Sequence, residues 1–152
     1  MSGRFAIKWD YSNLTIEDKE IENRYKKRVL IVDDEPYITS SFSLTLEDSG
    51  LFEVIICNDP LVALSNFRPN SYDLLLLDVR MPGMNGFELY DEIKKIDNKV
   101  KVCFISSYDA DSKALKKQFP SLNIECLIPK DFIRKPIEIS KLIERLEIEL
   151  LT

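Results

Sequence analysis

Four consecutive leucines, Leu74 to Leu77, run directly into Asp78, and the apolar character stops there. A continuous apolar run has no polar side to offer to water, so it must be covered on both faces. The stretch "YDLLLLD" (72–78) has the length of a strand. A strand covered on both sides belongs in the interior of a sheet that carries helices above and below. "RVLIVD" (28–33) reads likewise as a buried strand, continuous, β-branched and short, and "FEVIIC" (52–57) and "VKVCFIS" (100–106) read as two further strands.

Helical patterns fill the gaps. In "EPYITSSFSLTLEDSG" (35–50), Ile38, Phe42 and Leu46 recur every four residues and form a core-facing stripe. Asp34 is expected to cap this helix, with Pro36 in its first turn and Gly50 as its stop. "NDPLVALSNF" starts a second helix with Asp59 as cap and Pro60 at the first helical position. "GFELYDEIKKI" (86–96) is the third and "ADSKALKKQF" (110–119) a shorter fourth. A fifth strand is expected within "NIECLIPKDFIRK" (123–135). "PIEISKLIERLEIEL" (136–150) closes the chain, with Ile139, Leu142, Ile143, Leu146 and Leu150 on one stripe. Such alternation specifies an α/β fold: a doubly wound, five-stranded parallel sheet with helices on both faces.

The chain divides into a domain at 28–150 and an N-terminal appendage at 1–27. Within the appendage, "TIEDKEIENRYKK" suits a short helix opened by a capping box of Thr15 and Asp18. Phe5, Trp9 and Tyr11 precede it and need a surface to pack on, either the domain or a partner.

The 152 residues contain no histidine. That removes Ser-His-Asp and Cys-His catalysis and most zinc sites. Chemistry must come from carboxylates, hydroxyls, lysine or backbone. Cys57, Cys103 and Cys126 lie in apolar runs without metal-type spacing, which suits a reducing cytoplasm. A net charge of -5 argues against broad binding to nucleic acid or anionic membranes. The densest basic cluster, Arg24, Lys26, Lys27 and Arg28, reads as a solvated boundary. No apolar run approaches the ~20 residues of a membrane span, and the N-terminus "MSGRFAIKWDYSN" lacks the apolar core of a signal peptide.

In a doubly wound sheet, sites form outside the carboxyl ends of the strands. Strand one ends in Asp33-Asp34-Glu35, strand three in Asp78, strand four in Ser106-Ser107, and strand five near Lys135-Pro136. Each has an ordinary structural use when taken singly. Together they bring acids, a hydroxyl and an ammonium to one edge. Clustered carboxylates resist full ionisation unless a cation joins them, and an all-oxygen donor set suits Mg²⁺. A carboxylate can also attack phosphorus and form an aspartyl phosphate.

The motifs "LIVDDEP" (30–36), "DLLLLDVRMPGMNGFEL" (73–89), "FISS" (104–107) and "RKPI" (134–137) resemble the receiver domain of two-component response regulators over about residues 28–150. Asp78 follows Asp34 by 44 residues, as is usual in receivers. The resemblance implies the flavodoxin-like receiver fold. It implies Asp78 as the phosphoacceptor, and Asp33, Asp34, Asp78 and the Arg80 backbone carbonyl as ligands of Mg²⁺. It further implies Ser106 as the switch hydroxyl, Lys135 as the phosphoryl-pairing lysine and Phe132 at the aromatic switch position. Lys130 is a weaker rival to Lys135, which is favoured because Pro136 follows it. Arg80 and Tyr108 border the site, and Ser107 stands where a smaller residue is usual. From Ser106 to Lys135 the chain runs 29 residues, several more than expected.

The function implied is Mg²⁺-dependent acceptance of a phosphoryl group from a sensor histidine kinase or phosphotransfer protein. A surface made by the fourth helix, fifth strand and last helix would then switch toward a downstream protein effector, with phosphorylation-linked dimerisation as one outcome. On this reading the chain is a signalling phosphoacceptor rather than an enzyme. One alternative is a phosphorylation-independent interaction module. Another is a Mg²⁺-dependent phosphohydrolase, which Arg80 disfavours by standing where a second acid would be needed.

Overall fold

The structure is a computed structural model that describes residues 11–13, 15–18, 20, 26–106, 117, 132–134 and 139–151. The expected fourth helix, apart from its residue 117, lies outside the described residues, as do Lys130 and Lys135. Strand β1 spans Lys27–Val32, helix α1 Pro36–Asp48, β2 Phe52–Cys57, α2 Pro60–Asn66, β3 Leu74–Asp78, α3 Gly86–Ile96, β4 Lys101–Ser106 and β5 Phe132–Arg134. A C-terminal helix follows at Ile139–Leu151. The sheet is five-stranded in the order β2-β1-β3-β4-β5, and every pairing is parallel.

The leucine run is covered on both sides, as its composition demands. Successive side chains of a strand point to opposite faces. Leu75 and Leu77 join Leu30, Val32, Val102 and Phe104 in a core closed by Ala63 of α2 and by Leu89 and Ile93 of α3. Leu74 and Leu76 join Val29, Ile31, Cys103 and Ile105 in a second core closed by Phe42 and Leu46 of α1 and by Leu142 and Leu146 of the C-terminal helix. Ile38, Ile143 and Leu150 pack against that second core, so the stripe of α1 and the described part of the C-terminal stripe, Leu142 to Leu150, face inward.

Helix ends follow local chemistry, with one departure. Asp59 caps α2 by accepting from the amides of Leu61 at 2.8 Å and Val62 at 3.4 Å. Gly50, at φ +77°, terminates α1 in the left-handed region that glycine enters without penalty. The Thr15–Asp18 capping box forms, with Asp18 N–H donating to Thr15 Oγ1 and Thr15 N–H to Asp18 Oδ2. The Thr15 hydroxyl and amide hold the Asp18 carboxyl below its ordinary range. Asp34, however, does not cap α1. Glu35 occupies the N-cap position and makes no side-chain cap bond. Pro36 at the first turn has no N–H to satisfy, and the Ile38 and Thr39 amides bond to the Glu35 carbonyl. The Asp34 carboxylate is left to face its neighbours across the strands.

The amino edge of the sheet is stitched by side chains. Asp73 Oδ2 accepts from the Arg28 amide at 2.8 Å. Lys101 Nζ donates to the Glu149 carbonyl at 2.8 Å, placing a cation at the negative end of the C-terminal helix. Buried Asp97 accepts from the amides of Asn70 and Lys99, both at 2.9 Å, and so fixes Asn70 at φ +60°.

At the other edge, the start of α3 comes so close to the end of β3 that only glycine fits. A Cβ on Gly86 would lie 2.3 Å from the Asp78 carbonyl oxygen. The Gly86 amide donates to the Val79 carbonyl at 3.1 Å, so neither backbone can retreat without losing that bond.

Two outcomes are expected. Hydrogen bonds from the Asn70 amide, then the Lys99 amide, hold the Asp97 carboxyl below its ordinary range. A carboxyl depressed in the folded state stabilises above its unfolded pKa of about 3.9, and loses that contribution as pH falls toward the folded value. The stability difference between wild type and Asp97→Ala should therefore be flat near neutrality and shrink below about pH 4. Urea unfolding over that range checks it, and a difference that grows on acidification contradicts it. Second, helix propensity alone would make Gly86→Ala stabilising by up to about 1 kcal/mol. The backbone overlap should win and destabilise by roughly 1–3 kcal/mol. The sign of the shift in urea midpoint decides between the two effects.

Candidate functional site

Between β1 and β3 the strand order reverses, and this is where a doubly wound sheet opens a crevice at its carboxyl edge. Val32 stands beside Leu77 in the register, so the next residues along each strand are Asp33 and Asp78. Asp33 is 2% exposed and Asp78 7%. One carboxylate oxygen from each of Asp33, Asp34 and Asp78 lies within 4.8 Å of the others. The structure thus brings together three of the acids singled out in the sequence.

Asp33 and Asp78 are held by the chain around them. The Asp33 amide donates to the Cys57 carbonyl at 3.2 Å, and its carboxylate accepts from the Glu35 amide at 3.0 Å. Asp78 is the last residue of β3 and pairs with Ile105 of β4. Beyond it the Val79 amide donates to the Ile105 carbonyl at 3.0 Å, and Val79 and Met81 are buried in the core. The loop after Asp78 is therefore anchored at both ends. Gly83 takes φ +83°, and Asn85 caps α3 by accepting from the Glu88 amide at 2.8 Å. The Asn85 amide group also donates to the Glu88 carboxylate. Arg80 lies in this loop, two residues past Asp78, with its side chain exposed.

The donor set fits a hard divalent cation. Three carboxylates supply charge and oxygen ligands, and two of them are nearly out of water, where like charges repel strongly without a cation between them. Among the described residues this is the acid cluster with metal-ligating geometry. Clefts of about 290 and 390 Å³ open at the amino edge instead, lined by residues such as Asn70, Asp97 and Lys99. Their Asp97 is already occupied by backbone amides, so chemistry is assigned to the carboxyl edge.

The remaining expected site residues lie along β4 and β5. Ser106 ends β4 in register with Arg134, and Phe132 opens β5 beside Phe104. Strand β5 ends at Arg134, the residue before Lys135. Asn58 escaped the sequence reading: its Nδ2 donates to the Asp33 carbonyl at 2.8 Å and to the Thr39 hydroxyl at 2.9 Å. In sequence it reads only as a turn residue before Asp59-Pro60, because both partners are distant along the chain.

Residues 29–147 match the response regulator receiver domain family. Among curated proteins, the chain is 36% identical over 120 residues to the transcriptional regulatory protein CpxR homolog of Haemophilus influenzae, covering 79% of this chain and 48% of that protein. It is 31% identical over 121 residues to the uncharacterized transcriptional regulatory protein YkoG of Bacillus subtilis, covering 80% and 50%. The chain thus spans about half the length of these curated relatives. Among solved structures, the non-phosphorylated HemR receiver domain from Leptospira biflexa is 27% identical with a TM-score of 0.68, over 84% of this chain and 96% of that one. The CheX-CheY-BeF₃-Mg²⁺ complex from Borrelia burgdorferi matches at 27% identity and a TM-score of 0.64, over 80% and 87%. With the fold, the acid cluster at the switch point and these matches in agreement, the chain belongs to the response regulator receiver domain family.

Proposed function

We propose that this receiver accepts a phosphoryl group on Asp78 and uses it to switch a protein-binding surface. The observation that carries the reading is the convergence of the Asp33, Asp34 and Asp78 carboxylates within 4.8 Å at the carboxyl edge, with Asp78 on a rigid strand. The donor would be a phosphohistidine of a sensor histidine kinase or phosphotransfer protein, since this chain has no histidine of its own. An Asp78 oxygen attacks phosphorus, a P–O bond forms and the P–N bond breaks. The electron pair leaves with the donor's imidazole nitrogen, which takes a proton. Asp78 thereby becomes a mixed anhydride.

Asp33, Asp34, one oxygen of Asp78 and the Arg80 backbone carbonyl would hold Mg²⁺. When bound, the ion offsets the carboxylate charge and the charge developing on the phosphoryl oxygens. The likeness to a CheY solved with BeF₃ and Mg²⁺ supports that donor assignment. Ser106, at the end of β4, is assigned a hydrogen bond to the phosphoryl group, and Lys135 an ion pair with it. The end of β5 at Arg134, in register with Ser106, supports Lys135 over Lys130. Phe132 is the aromatic that follows Ser106, and the switched surface comprises the segment 110–119 expected to form the fourth helix, β5 and the C-terminal helix.

In this role the chain turns over nothing but its own modification. Cys57 and Cys103 form no disulfide, which suits the reducing cytoplasm where such a kinase would act. Among the described residues no helix is long and apolar enough to cross a membrane.

Two outcomes test the reading. With Mg²⁺ and acetyl phosphate, the wild type should gain one hydroxylamine-labile phosphoryl group by intact mass, and Asp78→Asn none. Equal labelling of the variant refutes the acceptor assignment. Lys135→Ala and Ser106→Ala should still be labelled but switch poorly. Amide NMR shifts of β5 and the C-terminal helix on adding beryllofluoride, a phosphoryl stand-in, should be largely lost while probes beside Asp78 still move. A full wild-type response in both variants assigns the coupling elsewhere.

A further inference from the structure

We infer that Asn58 is a positioning residue for the acid pair, acting through Asp33. The inference rests on the reading of Asp33, Asp34 and Asp78 as a cation site. Asn58 lies just past the end of β2, outside the acid cluster. Its Nδ2 donates to the Asp33 carbonyl at 2.8 Å and to Thr39 Oγ1 at 2.9 Å. The Thr39 hydroxyl donates in turn to the Pro36 carbonyl at 3.1 Å. A carbonyl oxygen can only accept, so the amide nitrogen must face Asp33, and the proton order along Asn58, Thr39 and Pro36 is fixed.

This chain of bonds joins three elements at one point. The Asp33 amide is already tied to the Cys57 carbonyl at 3.2 Å. With Asn58 on its carbonyl, both main-chain groups of Asp33 are held by consecutive residues leaving β2. Thr39 is fully buried on α1, so the same amide also ties the first turn of that helix to the strand end. The turn between, Asp33 to Pro36, carries two of the three carboxylates. Rotation of the Asp33–Asp34 peptide would carry Asp34 away from Asp78, and Asn58 opposes that rotation because it holds the carbonyl of that peptide. Groups that orient ligating side chains from outside the coordination sphere typically change metal affinity by 10–100-fold when removed.

Asn58 is solvent-exposed as a residue, so replacing it should leave the two cores intact. The test is calorimetric titration of the full chain with Mg²⁺, paired with the melting temperature of each metal-free protein. Asn58→Leu keeps the size but cannot donate, and Asn58→Ala is a second deletion. Asn58→Gln keeps the amide on a longer arm, and Asp33→Asn is the control for the cation site. Asn58→Leu and Asn58→Ala should weaken Mg²⁺ binding about tenfold. Asn58→Gln should recover part of the loss, and Asp33→Asn should weaken binding at least as much as either deletion. A purely structural Asn58 would lower the melting temperature while leaving Mg²⁺ affinity at the wild-type value, and that result overturns the assignment. If Asp33→Asn leaves Mg²⁺ binding unchanged, or the wild type binds none, the cation-site reading fails and the role of Asn58 fails with it.

Discussion

Carboxylate crowding at the end of the central strand is the constraint that the rest of the architecture serves. Two ionised groups 4.8 Å apart repel by about 3.5 kcal/mol at an effective dielectric constant of about 20. Three such pairs converge where Asp33, Asp34 and Asp78 meet. Left to itself, a loop would relax such a cluster apart. Here Asp33 and Asp78 directly follow neighbouring positions of β1 and β3, and those strands are buried on both faces. Separating Asp33 from Asp78 would require shifting a strand register that four consecutive leucines pin in place. The apolar strand is therefore the mount that keeps an electrostatically unfavourable cluster assembled and ready for a cation.

The two edges of the sheet divide the labour. At the amino edge, Asp73, Asp97 and Lys101 bond to backbone groups and close the structure. At the carboxyl edge the acids face one another. The loop beyond Asp78 is rigid for local reasons: Val79 and Met81 are buried, Gly83 turns with positive φ, and Gly86 lets α3 approach the Asp78 carbonyl. Thus "DVRMPGMNG" is more than a turn sequence, because each of its special residues removes one way for the Asp78 backbone to move.

Most of this was legible in the sequence, and the reasons for the exceptions are physical. Strands β1 and β3 announced themselves as unbroken apolar runs, and the expected bounds of β2 and α3 are those observed. Asp59 and Gly50 act within a few residues of themselves, where local pattern is informative. Asp34 was expected to cap α1 because it stands before a proline-started helix. The structure turns it to the cluster instead, a choice set by the β1–β3 register rather than by neighbouring residues. Asn58 was invisible for the same reason: Asp33 lies 25 positions away. The convergence of Asp33, Asp34 and Asp78 was foreseen because a doubly wound topology gathers strand ends, and topology followed from the alternation of elements.

Which carboxylate carries the phosphoryl group decides whether the central strand is the mount of the acceptor. An acyl phosphate is a mixed anhydride, so borohydride reduces it to a primary alcohol and converts the modified aspartate to homoserine. Phosphorylating the wild-type chain with acetyl phosphate and Mg²⁺, reducing it, and sequencing its peptides by mass spectrometry locates that residue directly. Homoserine at position 78 alone is the expected result. Homoserine at position 33 or 34, or an unmodified peptide around Asp78 in a protein that has gained phosphate, would contradict the assignment of the central strand as the mount of the acceptor.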